Sequence, residues 1–144
     1  MLTLGPALKM IMNQSMVQSV LSKKLDAQLS MHGISFTEFM ILYHLHNAEN
    51  EKMRRIDLAE KTGLSASGIT RLIAPMEKIG LVQREANQRD ARVSFVKLAP
   101  GGARILQESA SGVDILARQL LTGLKPEMIN AALQTLTQLG GTIR

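Results

Sequence analysis

The sequence predicts a mainly α-helical fold of the α+β type, in which one small β-hairpin interrupts an otherwise helical chain. Three observations predict it. Apolar residues recur at helical spacing through both terminal thirds. After Gly80 the period changes from 3.6 to 2, the alternation of a half-buried strand pair. Just before that change lies a helix with a small, polar first turn.

The elements follow in order. Pro6 suits the first turn of a helix, and Leu8, Ile11, Met12, Met16, Val20, Leu21, Leu25 and Leu29 give an apolar stripe running to about Met31. His32-Gly33 ends it. Ser35, with Glu38 three residues on, forms a capping-box pattern that opens a second helix over residues 36–47. Phe36, Phe39, Met40 and Tyr43 are expected to line its inner side. A polar link, Glu49-Asn50-Glu51-Lys52, leads to Met53-Arg54, read as a minimal third strand. Residues 56–61 then form a short helix, with Thr62-Gly63 as the turn into the next.

In that next helix Ile69, Leu72, Ile73 and Met76 form one stripe, which leaves Ser67, Thr70 and Arg71 on the opposite, open face. Ser65 stands where a hydroxyl accepts from an unpaired backbone N–H. Ala66, Ser67 and Gly68 are small enough for the helix N-terminus to approach a phosphate or a base edge closely. Gly68 costs about 1 kcal/mol relative to Ala, and close approach is one reason to tolerate it. Pro75, two turns in, is expected to bend or end the helix. Gly80 is the expected C-cap. Residues 81–84 and 93–98 read as strands, joined by the polar loop 85–91. Helix, turn, helix and hairpin together make a winged helix-turn-helix. Arg89 and Arg92 at the hairpin tip suit a minor groove, whose negative potential attracts guanidinium groups. Asp90, two residues before Arg92, can receive its fork and hold it in one orientation.

Beyond Pro100-Gly101-Gly102 a long helix carries Ile105, Leu106, Ser109, Val113, Leu116 and Leu120 in register. Gly123 breaks it, and Pro126 opens a last helix with Met128, Ala132, Leu136 and Leu139 as its stripe. The apolar faces of residues 1–33 and 103–144 need more partner surface than the winged unit, residues 34–102, supplies. A second copy is the simplest partner. Two reading units would then be carried on a two-fold axis, spaced about one DNA turn, roughly 34 Å.

Composition bounds the rest. A chain of 144 residues fits one domain. There is no cysteine, which excludes disulfides, thiol redox sensing and thiolate metal sites. No apolar run approaches membrane-spanning length, and the N-terminus lacks a secretory pattern, so a cytoplasmic location is expected. Residues 52–92 hold nine Lys/Arg against five Asp/Glu, so that this stretch supplies +4 of the net charge of +5. Such an excess fits a polyanionic partner. His44 and His46, two apart on a helix, point in different directions; with His32 as the one remaining histidine, no metal site is expected. No nucleophile motif or glycine-rich phosphate loop is present, so neither an enzyme nor a cofactor is implied.

Asp90-x-Arg92, Leu98 with Gly101-Gly102, Leu81-Val82 after Gly80, and Leu58-Ala59 ahead of Gly63-Leu64-Ser65 give this stretch a resemblance to the winged helix-turn-helix of the MarR family of bacterial transcription regulators. Order and spacing agree over about half the chain. The resemblance implies a triangular homodimer, double-stranded DNA as partner, and a crevice between dimer helices and winged unit where relatives bind small aromatic anions. The expected function is that of a homodimeric repressor on a palindromic operator, released by an effector. A helical protein-interaction module of the same fold is the alternative. The DNA-facing set is Arg92 in the minor groove, Asp90 as its brace, Arg89 on a phosphate, Thr70 and Arg71 toward the major groove, and Ser65, Ala66 and Ser67 at the helix start. Arg71 suits either guanine or phosphate, Ser65 either a contact or a plain cap. Arg54 and Arg55 suit the DNA backbone. Phe36, Phe39, Tyr43, Met12 and Met16 are the expected crevice walls, methionine being adaptable.

Overall fold

In the computed structural model, which describes residues 1–144, the chain folds as six α-helices and one three-stranded sheet. Helices α1 (Pro6–Leu29) and α2 (Phe36–His46) are separated by a 3-10 turn ending at Gly33, whose φ of 76° is left-handed. The capping box at the start of α2 forms in full: Ser35 Oγ accepts from Glu38 N–H at 3.1 Å, and Glu38 Oε1 accepts from Ser35 N–H at 2.8 Å. Strand β1 (Lys52–Arg54) follows, then α3 (Arg55–Thr62) and α4 (Ala66–Lys78), the helix-turn-helix pair. Strands β2 (Val82–Ala86) and β3 (Ser94–Leu98) form the hairpin, and α5 (Pro100–Leu120) and α6 (Pro126–Gln138) complete the chain.

The sheet has the order β1-β3-β2, antiparallel throughout, with Met53 paired to Val96 and Arg84 to Val96 from the other side. The minimal third strand expected at Met53-Arg54 is therefore present. Val82, Val96 and Leu98 turn inward and join one core with Ile34, Ile41, Leu42, Leu45, Leu58, Ile69, Ile73 and Met76. Leu25 and Leu29 of α1 and Leu106 and Val113 of α5 cover it from the far side. No helix is long and apolar enough to cross a membrane.

Three expectations are refined by the structure. The centre of the inner side of α2 is made by Ile41, Leu42 and Leu45 with His44; Phe36, Phe39 and Tyr43 are half-buried and pack against that core from the flank, and Met40 is half-buried outside it. This helix is apolar on nearly every side, so periodicity could not choose its inward face. Helix α4 does not end at Pro75 but continues to Lys78. Pro75 is exposed, so its ring displaces no core side chain, and Ile79 N–H still closes the last turn on Pro75 C=O at 3.1 Å. The stripe of α1 divides in two: Leu25 and Leu29 are buried, while Leu8, Ile11, Met12, Met16 and Val20 are open.

The junction between α4 and the hairpin is tightly specified. Gly80, at φ 82°, ends α4 with Gly80 N–H on Glu77 C=O and Leu81 N–H on Met76 C=O, at 3.1 and 2.9 Å. Leu81 and Met76 are both buried beneath that turn. At the other end of the hairpin the first turn of α5 lies directly on the same turn. A Cβ at Gly101 would meet Gly80 C=O at 2.7 Å, and one at Gly102 would collide with Leu81 C=O. The Gly101-Gly102 pair is thus required by backbone-on-backbone packing, which holds hairpin, α4 and α5 as one body.

Candidate nucleic-acid interface

Helix α4 buries Ile69, Ile73 and Met76 completely or nearly so and leaves Ser65, Ala66, Ser67, Thr70 and Arg71 exposed in one surface. Ser65 is the N-cap, its Oγ accepting from Gly68 N–H at 3.0 Å and sharing a hydrogen bond with Ser67 Oγ at 3.2 Å. A Cβ on Gly68 would stand 3.1 Å from that Oγ, so this glycine makes room for the cap itself. Thr70 donates its hydroxyl proton to Ala66 C=O at 3.1 Å. What it presents outward is a methyl group and lone pairs, which suits a thymine methyl or an amino donor rather than an acceptor. Arg71 points away from the core, and no acid in the structure pairs with it.

The wing tip, residues 87–93, is organised by two short side chains. Asn87 Oδ1 accepts from Arg89 N–H at 2.9 Å. Asp90 Oδ1 accepts from Arg92 N–H at 3.0 Å and from Arg92 Nε at 3.2 Å. The Arg92 side chain nevertheless remains 90% exposed. These bonds hold the Asp90 carboxyl below the usual carboxylate range, the side-chain bond from Arg92 first and the backbone bond second. The guanidinium is therefore oriented by a permanent anion while its outer edge stays free. That is the brace expected from the Asp90-x-Arg92 spacing.

A cleft of about 260 Å³ lies between the start of α3 and the base of the wing, bordered by Arg54, Arg55, Ile56, Arg92, Val93 and Ser94. Arg55 donates to Ser94 Oγ at 3.0 Å. Arg54 is forked onto Asp57 at 3.0 and 3.3 Å, a pairing that raises its pKa further. So Arg54 reaches the cleft already paired, unlike Arg71 and Arg89. The remaining expected residues lie elsewhere. Phe36 and Phe39 stack with ring centres 6.1 Å apart, Tyr43 meets His44 edge-on at 5.4 Å, and Met12 and Met16 stand exposed on α1. Within one protomer these do not gather into one cavity. His44 is buried, with its pKa lowered by burial and by Lys61, and His46 Nδ1 stands 3.6 Å from Glu51. Sequence reasoning did not find an ion cluster on the outer sheet face, Lys52, Glu85 and Lys97. Its only signal is the strand register, which the sequence does not print.

The family model described as MarR family matches residues 32–93, from the turn before α2 through the helix-turn-helix to the wing tip. The transcriptional repressor MprA of Escherichia coli is 30% identical over 92 residues, 64% of this chain and 52% of that protein. The chain thus spans about half the length of that curated relative. Among solved structures, AbsC from Streptomyces coelicolor, titled a MarR family transcriptional regulator, superimposes with a TM-score of 0.83 at 26% identity, covering 96% of this chain and 95% of that one. Sco3205 from the same organism, solved in complex with DNA, gives 0.83 at 24% identity over 96% and 89% of the two chains. Helix order, braced wing and these likenesses agree: the chain is similar to MarR family regulators over its central unit and shares their fold over its full length.

Proposed function

We propose that this chain is a DNA-binding transcriptional regulator of the cytoplasm, a homodimeric repressor that holds a palindromic operator and is released by a small-molecule effector. The observation that carries the reading is the wing arginine, braced on Asp90 yet 90% exposed, beside a helix whose open face is polar and small. In this reading Arg92 enters the minor groove and Arg89 meets a phosphate. Thr70 and Arg71 face the major groove, and Ser65, Ala66 and Ser67 bring the N-terminus of α4 against the backbone. Arg54 and Arg55 line the phosphate path.

Residues 1–33 and 103–144 serve pairing. Support comes from the apolar side chains they leave open, among them Leu8, Met16, Val20, Met128, Leu133 and Leu136. A small aromatic or anionic effector seated among Phe36, Phe39, Tyr43 and the methionines Met12 and Met16 would change the spacing of two reading units between fitting and non-fitting arrangements. Selection of bound genomic fragments tests the reading. A shared imperfect palindrome with half-sites about one turn apart is expected, and fragments with no common inverted repeat would remove it.

A further inference from the structure

The outer face of the sheet holds a group of side chains that the DNA-reading set does not use. In the strand register Lys52 on β1 stands directly opposite Lys97 on β3, and Glu85 on β2 stands opposite Phe95 on β3. All four lie on the outer face, since the alternating Val96 and Leu98 are buried. Two ammonium groups placed directly opposite on one face repel each other. Glu85 relieves that repulsion. Its Oε2 accepts from Lys52 Nζ at 2.6 Å, and its Oε1 is 3.8 Å from Lys97 Nζ. Lys52 reaches it over the central strand, with Nζ 4.7 Å from the centre of the Phe95 ring. The bond from Lys52, with the charges of both lysines, holds the Glu85 carboxyl below its ordinary range, so the group is an anion at neutral pH.

The chain enters β1 through an uncommon backbone conformation. Asn50 and Glu51, immediately before β1, have φ values of 57° and 55°. Two consecutive non-glycine residues in the left-handed region are uncommon and persist only where the surroundings fix them. They turn the chain so that β1 runs along β3 with Lys52 outward. Strand β1 passes directly into α3 at Arg55, and β2 ends at Ala86, one residue beyond Glu85, where the wing tip starts. The bond between Lys52 and Glu85 therefore ties together the two outer strands, one leading into the helix-turn-helix and the other into the wing.

We infer that the Lys52–Glu85 clasp is a positioning device that sets the angle of the wing to the helix-turn-helix, so that Arg92 and α4 fit neighbouring grooves at once. The inference rests on the DNA-binding reading above. Glu85 touches no DNA in it and acts only through the wing. This gives the test a sign. Glu85→Gln raises the net charge by one, and charge alone predicts tighter binding to a polyanion. The clasp predicts weaker binding.

The full chain is measured on an operator fragment that it has itself selected, by anisotropy and hydroxyl-radical footprinting, with a thermal melt of each variant without DNA. Glu85→Gln is expected to bind about tenfold more weakly, in the range of a lost groove contact. Protection at the outer minor grooves should fade while that beneath α4 stays. The exchange Lys52→Glu with Glu85→Lys keeps the net charge and should restore both. Glu85→Gln binding as well as or better than the wild type, with its outer protection intact, overturns the clasp and leaves the DNA-binding reading standing. Should Glu85→Gln fail to fold, a folded exchange variant lacking the outer protection overturns it equally. A wild-type chain without salt-dependent DNA binding overturns both.

Discussion

Helices α4 and α6 are each 13 residues long, and both carry an apolar stripe at helical spacing, yet they end in opposite situations. In α4 the stripe is covered within the protomer, with Ile69 and Met76 at 0% exposure and Ile73 at 2%. In α6 no residue is buried, and Met128, Leu133 and Leu136 remain 46–54% exposed. An amphipathic pattern reports that a face needs covering, not what covers it. For α4 the cover is α3 and the sheet; for α6 the proposed cover is a second copy of the chain. The stripe of α4 is thus covered within one protomer, and that of α6 is left open for the pairing proposed above.

This contrast can be broken in graded ways. Ile73→Ala in α4 is expected to cost the most, about 2–5 kcal/mol of folding stability, through the cavity left in a closed core. Chemical denaturation should show that loss at every protein concentration. Leu136→Ala in α6 should cost about 2 kcal/mol of association, the burial of one leucine in the pair, and little in the isolated protomer. Sedimentation should show more monomer at micromolar concentration, with unchanged far-UV dichroism. A loss that does not depend on concentration would mean that α6 is covered in cis.

Acidification should have the smallest effect, and it should fall on the covered unit. His44 is buried in that core with its pKa lowered, first by burial and then by Lys61. The unfolded chain thus binds a proton that the folded chain resists. Stability is full above the ordinary histidine pKa of about 6.5 and is lost as pH falls below it. A His44→Asn variant should show a flatter stability profile between pH 7 and 5. An unchanged profile would assign the acid sensitivity to another group.

Much of the reading unit was legible because its signals are local. Ser35 and Glu38 announce a capping box, Ser65 a cap, and Asp90 two residues before Arg92 a brace, and each forms at hydrogen-bond distance. Signals that depend on pairing were not legible. The clasp of Lys52 and Glu85 joins residues 33 apart, and only the strand register brings them together. The face of α2 was hidden by its all-round apolar composition, so the large aromatics seemed the better core residues than Ile41 and Leu42. Pro75 obeyed a rule about interior prolines only in part, because it lies exposed in the last turns of α4, beyond the buried Ile73. Phe36, Phe39, Tyr43, Met12 and Met16, expected to line one crevice, stand apart in one protomer.

The central claim is that the braced wing and α4 hold DNA together through charge and shape. DNA affinity measured between about 50 and 200 mM salt, for the wild type and for Arg92→Ala, tests it most directly. Wild-type affinity is expected to fall by orders of magnitude over that range, and Arg92→Ala to bind about 10- to 100-fold more weakly with a shallower slope. An affinity indifferent to salt, or an Arg92→Ala variant that binds as the wild type does, would contradict it.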